Sequence, residues 1–445
     1  MLYRKTKEEL LLRLKREERK PIVLRGARQV GKTTLVRMIA SQFEQFIELN
    51  LEKSEDKKIF EIASDFKELV KAIFFYKGKS LKKETLIFID EIQNSPEAIK
   101  QLRFFYEEGK NLYVVSAGSL LETLVKKNIS FPVGRVEYLY VYPLGFYEFL
   151  KAKYPETIDF YEKVPIDEVT HEKFLKVFNE YALIGGMPEV VKNYIENEDL
   201  TEINHIYNSL ITGFKDDIEK YENNKRRIGL LRFVIDNAFR EAGGRIKFSK
   251  FGGSNYKSVE MSETFRILEK AFLLKLVYPV TDTELPTIGN YKKSPKLMLL
   301  DNGLVNFVSN YHQLFFEKKN ILEINSGKLA EQIVFQELRL ILKREYSDIF
   351  FWVREKKQST AEVDFVLPYK GLLIPIEVKG GKTGRLRSLH QFIDLAEHNF
   401  AVRVYTGKLN VHKTRTIKGK EFYLLNLPIY LLPKIKEYLD SSFFK

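Results

Sequence analysis

The sequence contains no cysteine among its 445 residues, and only six histidines are scattered along it. Disulfide bonds and cysteine-based zinc sites are therefore excluded, and the histidines give little support for a zinc or haem centre. No uninterrupted apolar run approaches the roughly 20 residues that a membrane-spanning helix needs. The charged N-terminus shows no signal-peptide pattern, so we expect a cytoplasmic protein without a membrane partner.

Positive charge, by contrast, is in excess. The formal net charge is +13, and residues 321–445 contain 21 Lys and Arg against 14 Asp and Glu, a surplus of +7. A basic surplus favours a polyanionic partner such as nucleic acid. A solvated surface rich in lysine and glutamate, as in heat-adapted proteins, is the alternative that would give the same composition.

Residues 1–150 alternate short apolar strands with helical stretches, which predicts a parallel sheet covered by helices. The first predicted strand is followed by a glycine-containing loop and then by a helical pattern. This context favours a phosphate-binding loop over its alternative, a simple glycine-bearing turn. Lys32 would reach the β- and γ-phosphates, and Thr33 would ligate Mg²⁺. The expected ATP-binding residues are Gly26, Ala27, Arg28, Gln29, Val30, Gly31, Lys32, Thr33 and Thr34.

The acidic pair Asp90-Glu91 directly follows the apolar run 86–89. A buried strand would bring Asp90 to the edge of the sheet, where it holds Mg²⁺ through water, and Glu91 would polarise the attacking water. Capping of a helix is the alternative for this pair. Ser116 and Ser119, at the end of the next strand, are candidates to sense the γ-phosphate, although Ser119 fits a helix cap equally well.

Arg135 lies between a proline-containing loop and the last strand predicted for this part of the chain, residues 138–142. An arginine at this point would neutralise transition-state charge on the phosphates, either in cis or across a subunit interface. The second case would require a homo-oligomer. A structural salt bridge is the alternative.

Near the C-terminus, charged residues interrupt two apolar strand patterns, 362–367 and 374–379. Glu377 and Lys379 are two residues apart and so point to the same face of a strand, and Asp364 on the neighbouring strand can lie beside them. Two carboxylates can form an oxygen site for Mg²⁺ or Mn²⁺, and a lysine can steady the charge on a phosphodiester. A structural ion network in an inactive fold is the alternative.

The serial order of these motifs resembles the prokaryotic AAA-type ATPases that couple an N-terminal ATPase domain to a C-terminal restriction-endonuclease-like domain. The C-terminal block is similar to nuclease cores with an Asp…Glu-X-Lys motif. The resemblance implies catalytic roles for Asp364, Glu377 and Lys379, an additional metal ligand in Glu331, and an assisting role for Gln391. It rests on Asp364–Lys379 and on residues 26–34, 88–93, 116–119, 134–135, 142–149, 185–189 and 301–304.

The same resemblance implies an α/β multidomain fold with four parts. These are a P-loop ATPase domain (1–150), a helical lid region (151–225), a winged-helix-like connector (226–320) and a nuclease-like domain (321–445). A winged helix would place Asn255, Tyr256 and Lys257 against DNA, which makes DNA the expected partner rather than RNA, but a docking domain fits this region equally well.

The expected function is a Mg²⁺-dependent ATPase that controls the nuclease-like domain. The alternative is a nucleotide-dependent switch whose inactive C-terminal domain only binds DNA or a protein.

Overall fold

The computed structural model describes residues 2–82, 84–118, 131–219, 222, 224–312, 322, 327–342, 349–354, 361–381 and 384–444. The chain forms two compact units. The first contains Met1–Pro143 and Lys270–Phe272, and the second contains Leu144–Glu269 and Leu273–Lys445. Each unit combines helices with a β-sheet, so the expected α/β multidomain class is confirmed.

The sheet of the first unit consists of five parallel strands. They are β1 (Ile22–Arg25), β2 (Gln45–Asn50), β3 (Thr85–Asp90), β4 (Leu112–Ala117) and β5 (Glu137–Tyr140). Their order is β2-β3-β4-β1-β5. Every residue of β3 is buried, as expected for a parallel strand that is covered by helices on both faces. The predicted parallel sheet is confirmed, and its last strand covers Glu137–Tyr140 where residues 138–142 were expected.

Two helices of the first unit start at side-chain caps. The Asp65 side chain accepts a hydrogen bond from Glu68 N at the start of one helix, and Ser95 accepts one from Ala98 N before another. Their apolar faces pack with the sheet in a single core. The helices are α1 (Lys5–Leu14), α2 (Lys32–Arg37), α3 (Ser54–Ile62), α4 (Phe66–Tyr76) and α5 (Pro96–Glu107).

The second unit begins with a series of helices. One sharp turn among them, at Gly185, has a φ of +69°, and a Cβ atom there would lie 2.4 Å from Asp301 Oδ1. Only glycine fits this position without a shift of the neighbouring chain. The helices are α6 (Phe146–Lys153), α7 (Ile158–Glu162), α8 (His171–Ile184), α9 (Pro188–Asn197), α10 (Leu200–Glu219), α11 (Lys225–Ala238), α12 (Ser258–Lys270) and α13 (Asn302–Val308).

Three short strands lie between α12 and α13. They are β6 (Leu274–Val277), β7 (Pro279–Val280) and β8 (Lys296–Leu299). Strands β6 and β8 form an antiparallel pair. In the predicted connector, α11 and α12 are therefore followed by the two-stranded sheet of β6 and β8. The winged-helix-like character of this connector stays a prediction.

A seven-stranded mixed sheet forms the C-terminal part of the second unit. Its further strands are β9 (Phe350–Val353), β10 (Glu362–Tyr369), β11 (Leu372–Val378), β12 (Phe400–Tyr405), β13 (Asn410–Arg415) and β14 (Glu421–Pro428). The order is β13-β14-β12-β11-β10-β9-β7, so β7 joins this sheet from the segment predicted as a connector. The accompanying helices are α14 (Lys328–Leu342), α15 (Arg387–Leu395) and α16 (Ile435–Phe443).

Two of these strands, β13 and β14, form an antiparallel pair. Strand β13 is almost entirely exposed and reads Asn-Val-His-Lys-Thr-Arg. It lies at the edge of the sheet, where charged residues are common because they discourage pairing with other chains. Its polar sequence therefore carries no apolar alternation by which a strand could be predicted.

Candidate functional site

The loop between β1 and α2 has the conformation expected of a phosphate-binding loop. Gly31 has a φ of +89° and Gln29 a φ of +63°, so the backbone passes twice through the left-handed region. The side chain of Lys32 is buried, and its Nζ donates to Gly26 O at 3.0 Å and to Ala27 O at 2.7 Å. The ammonium group is thus held against the loop that is expected to surround the phosphates.

Burial lowers the pKa of Lys32 to about 8, and the attraction of Glu91 and Asp90 offsets only part of this effect. Desolvation disfavours the charged form of a lysine, and a nearby anion favours it. Bound phosphate would supply such an anion. We therefore expect nucleotide binding to favour the charged form of Lys32.

The loop and the acidic pair meet through a direct hydrogen bond. Thr33 Oγ1 donates to Asp90 Oδ2 at 2.7 Å, and the other oxygen of Asp90 accepts from Glu91 N at 3.0 Å. Glu91 has a φ of +51°, which turns the chain sharply at the end of β3. Gln93 Nε2 donates to Glu91 Oε2. Burial is the main cause of a raised pKa at both Asp90 and Glu91.

Ser116 lies near the end of β4, the strand between β1 and β3. It pairs with Val23 on one side and with Ile89 on the other. Its Oγ is buried, and it has no hydrogen-bond partner among the residues that the structure describes. A hydroxyl between the phosphate loop and Asp90 fits the predicted sensing role. Ser119, the second candidate, lies outside the described residues.

Arg135 lies away from the phosphate loop. It precedes β5, whose first residue Glu137 pairs with Ile22 at the start of β1. The loop follows the opposite end of β1, roughly 13 Å away at about 3.3 Å per residue. Arg135 Nε instead donates to Glu107 Oε1 at 2.9 Å. Arg135 therefore forms a salt bridge, as the alternative expects, and its role on the phosphates, in cis or across a subunit interface, stays a prediction.

Arg4 is a residue of the nucleotide site that the sequence analysis missed. Its guanidinium is buried and donates to Val30 O, in the phosphate loop, at 3.0 Å. It also donates to Tyr142 O, just after β5, at 2.6 Å. Arg4 therefore ties the loop to the adjacent edge of the sheet.

In the second unit, the structure brings together the three residues of the predicted nuclease motif. Pairing of β10 with β11 sets Asp364 beside the strand that carries Glu377. Asp364 Oδ2 accepts a hydrogen bond from Val378 N at 2.8 Å, and Lys379 Nζ donates to Glu377 Oε1 at 2.8 Å. Glu377 is buried, and its Oε2 has no hydrogen-bond partner in the part of the chain that the structure describes.

A lysine that the sequence analysis missed joins Asp364 to two further carboxylates, those of Glu331 and Glu362. We call these three acids, together with Glu377, the carboxylate cluster. Lys296, the first residue of β8, is 2% exposed. Its Nζ lies 2.7 Å from Glu331 Oε2, 2.8 Å from Glu362 Oε1 and 3.4 Å from Asp364 Oδ1. The attraction of these three carboxylates raises the pKa of Lys296 despite its burial, so the side chain is an ammonium.

Burial acts in the opposite direction on the acids of the cluster. It raises the pKa of Glu331 and of Glu377, and the charge of Asp364 adds to both shifts. Lys296 opposes the shift at Glu331, and Lys379 opposes it at Glu377. The two lysines therefore favour the charged form of these carboxylates, against the effects of burial and of Asp364.

Among the described residues, no three or more acidic or histidine side chains converge closely enough to hold a metal ion. The metal roles predicted for Glu331, Asp364 and Glu377 therefore stay predictions. Gln391, expected to assist, accepts a hydrogen bond from Arg354 Nη1 at 2.8 Å through its side-chain oxygen.

Comparison with known families identifies the first unit. Residues 18–150, which include the phosphate loop, Asp90 and Ser116, match the family described as an AAA domain. This part of the chain is an AAA-type ATPase domain. Residues 175–314 and 326–430 each match a domain of unknown function. The nuclease-like character of the C-terminal part therefore stays a prediction.

The chain is similar along most of its length to two uncharacterized proteins. The one from Methanocaldococcus jannaschii is 26% identical over 420 residues, which cover 92% of this chain and 87% of the relative. The one from Haemophilus influenzae is 26% identical over 361 residues, which cover 77% and 78% respectively.

Two solved structures are distantly similar. The Walker-type ATPase PABY2304 of Pyrococcus abyssi gives a TM-score of 0.45 at 15% identity and covers 69% of this chain and 96% of its own. The Aeropyrum pernix ORC1 protein in complex with DNA gives a TM-score of 0.30 at 14% identity, with 71% and 94% covered. Likenesses at these TM-scores carry no weight for function.

None of the helices that the structure describes combines the length and the apolar character that crossing a bilayer would require.

Proposed function

We propose that the AAA-type domain binds ATP with Mg²⁺ and hydrolyses it. The observation that carries this proposal is the 2.7 Å hydrogen bond between Thr33 and Asp90, which are 57 residues apart in sequence. Hydroxyl and carboxylate oxygens are ligands that Mg²⁺ prefers. These two residues would hold the ion, which neutralises charge on the phosphates when it is bound.

The proposed roles of the other residues follow from their positions. The backbone of residues 26–31 and the first turn of α2, with Thr34, would surround the phosphates, and Lys32 would bind their oxygens. Glu91 would accept a proton from the attacking water. Its raised pKa makes its carboxylate a stronger base than an ordinary glutamate, and Gln93 holds one of its oxygens in place. Ser116 would donate its hydroxyl hydrogen to the γ-phosphate or to the attacking water.

Lys32→Ala tests the nucleotide site. This variant should lose ATP binding, measured by calorimetry, and ATP turnover, because no other group replaces the ammonium. The matched control is Lys53→Ala, at an exposed position in the same unit. Unchanged turnover in Lys32→Ala would remove the ATPase proposal.

For the second unit, we propose that ATP binding and hydrolysis control a nuclease-like domain that acts on nucleic acid, with DNA as the preferred substrate class. The proximity of Asp364, Glu377 and Lys379 supports this function. Asp364 and Glu377 would hold Mg²⁺ or Mn²⁺, with Glu331 as an additional ligand, and Lys379 would steady the charge on the phosphodiester.

A specific observation favours the second candidate function, a nucleotide-dependent switch that binds DNA or a protein without cleaving it. Lys296 already pairs with three of the carboxylates in the cluster. A buried ion network of this kind can be purely structural.

Incubation with Mg²⁺ or Mn²⁺ and single- or double-stranded DNA and RNA separates the two candidates. Cleavage by the wild type that is lost in both Asp364→Ala and Lys379→Ala would support the nuclease. The control is Lys370→Ala, at an exposed lysine in the turn between β10 and β11. Cleavage that persists in both variants would reject the proposed site, and binding without cleavage would favour the switch.

A further inference from the structure

Strand β8 and helix α14 hold Lys296 firmly next to the carboxylate cluster. The side chain of Gln332, on α14, accepts a hydrogen bond from Leu299 N at 2.9 Å and donates one to Leu299 O at 3.0 Å. These two bonds extend the hydrogen-bonding edge of β8 onto the helix that carries Glu331. Leu297, the residue that follows Lys296 in β8, donates from its backbone N to Gly244 O at 2.8 Å. The position of Lys296 is therefore set by the fold.

The ammonium group of Lys296 donates hydrogen bonds to Glu331 and Asp364 and forms an ion pair with Glu362. An ammonium has three N–H donors, and three carboxylates lie 2.7, 2.8 and 3.4 Å from Nζ. The rings of Phe351 and Phe365 lie 5.0 and 5.8 Å from the same atom, which leaves an apolar surrounding on the remaining sides. Lys296 thus contacts the cluster in the way that a bound cation would.

The cluster also contains an oxygen that this network leaves unused. Glu377 Oε2 is buried and lacks a hydrogen-bond partner among the described residues, while Glu377 Oε1 accepts from Lys379. A buried carboxylate oxygen without a partner is costly. Glu377 lies across the β10–β11 pair from Asp364, so this oxygen would be a further ligand for a cation bound at Asp364.

We propose that Lys296 is the resident cation of this cluster and that a divalent metal ion enters only in exchange for it. A metal ion would need oxygens of Asp364 and Glu331, which Lys296 now contacts. Mg²⁺ binds carboxylates at about 2.0–2.1 Å, and its charge would repel an ammonium that remained in place. This inference rests on the C-terminal metal site of the proposed function, but not on cleavage.

The test is Mn²⁺ binding by the nucleotide-free full-length chain, measured by electron paramagnetic resonance. Lys296→Met removes the charge and keeps an unbranched side chain. It should bind Mn²⁺ roughly tenfold or more tightly than the wild type, because the competing charge is gone. This Mn²⁺ site should disappear in the double variant that combines Lys296→Met with Asp364→Asn. Lys292→Met, an exposed lysine in the same segment, should bind Mn²⁺ like the wild type.

A second readout needs no mutation and decides the question if Lys296→Met does not fold. Acylation of lysines in the wild type, followed by mass spectrometry, should leave Lys296 protected without metal. Saturating Mn²⁺ should expose Lys296 to the reagent, and Asp364→Asn should abolish this effect of the metal.

Three results would overturn the inference. The first is that an Asp364-dependent site binds Mn²⁺ equally well in the wild type and in Lys296→Met. The second is that neither protein has such a site. The third is that Mn²⁺ binds at this site while Lys296 stays protected from acylation. Exchange without cleavage of any nucleic acid would keep this inference and remove the nuclease proposal. Cleavage of nucleic acid while Lys296 stays protected would remove this inference and keep the nuclease proposal.

Discussion

Replacing Arg4 with methionine tests how the phosphate loop is held in place. Methionine keeps an unbranched apolar stem but cannot donate to Val30 O and Tyr142 O, which now receive hydrogen bonds of 3.0 and 2.6 Å. A hydrogen bond from a charged group contributes about 1.5–3 kcal/mol. Loss of both should lower the free energy of unfolding of the first unit by about 3–6 kcal/mol.

The same change should weaken nucleotide binding. A loop that is no longer tied to the sheet must be ordered when ATP binds, so we expect the Kd for ATP to rise about tenfold, equivalent to about 1.4 kcal/mol. Because Arg4 positions the loop and lies outside the proposed chemistry, the KM for ATP should rise more than kcat falls. Urea denaturation, calorimetry and steady-state kinetics measure these three effects.

The matched control is Arg16→Met. Arg16 is largely exposed and pairs with Glu137 at 3.3 Å, so its loss should change stability by less than about 1 kcal/mol. If Arg4→Met and Arg16→Met are equally stable and bind ATP equally well, Arg4 does not hold the loop.

Two further predictions concern pH and self-association. Burial raises the pKa of Asp301 to about 6 and of Glu337 to about 7, so the folded state binds these protons more tightly than the unfolded state. The stabilisation that comes from their protonation should be lost as pH rises from about 4 to about 7. Over this range the free energy of unfolding of the wild type, measured by urea denaturation, should fall by about 3 kcal/mol relative to that of Glu337→Gln. A difference between the two proteins that does not change with pH would refute this prediction. If Arg135 acts across an interface, mixing Arg135→Ala with Glu91→Gln should restore turnover that each lacks alone, and no restoration would refute that role.

Much of the nucleotide site could be predicted from the sequence because its residues lie at the ends of buried strands. The apolar run before Asp90 is buried along its whole length, as its composition indicates. Strands of a parallel sheet deliver their carboxyl ends to one edge, which is why Thr33 and Asp90 meet. Similarly, the two-residue spacing of Glu377 and Lys379 predicted their contact.

The residues that were missed make contacts across long distances in sequence. Arg4 bonds to positions 26 and 138 residues away, and Lys296 bonds to Glu331 and Asp364, which are 35 and 68 residues away. Neither contact belongs to a local pattern. One signal was present for Lys296, since it begins an apolar run whose following residues are Leu297 to Leu300. A charge at such a position needs a partner.

The most direct test of the central claim is the effect of Glu91→Gln on ATP binding and turnover. We predict that this variant binds ATP with an affinity close to that of the wild type, while kcat falls by about 10²–10⁴-fold because the general base is lost. Glu52→Gln, an exposed residue close enough to influence the pKa of Glu91, should keep full turnover. Wild-type turnover in Glu91→Gln would contradict the proposed hydrolysis at this site.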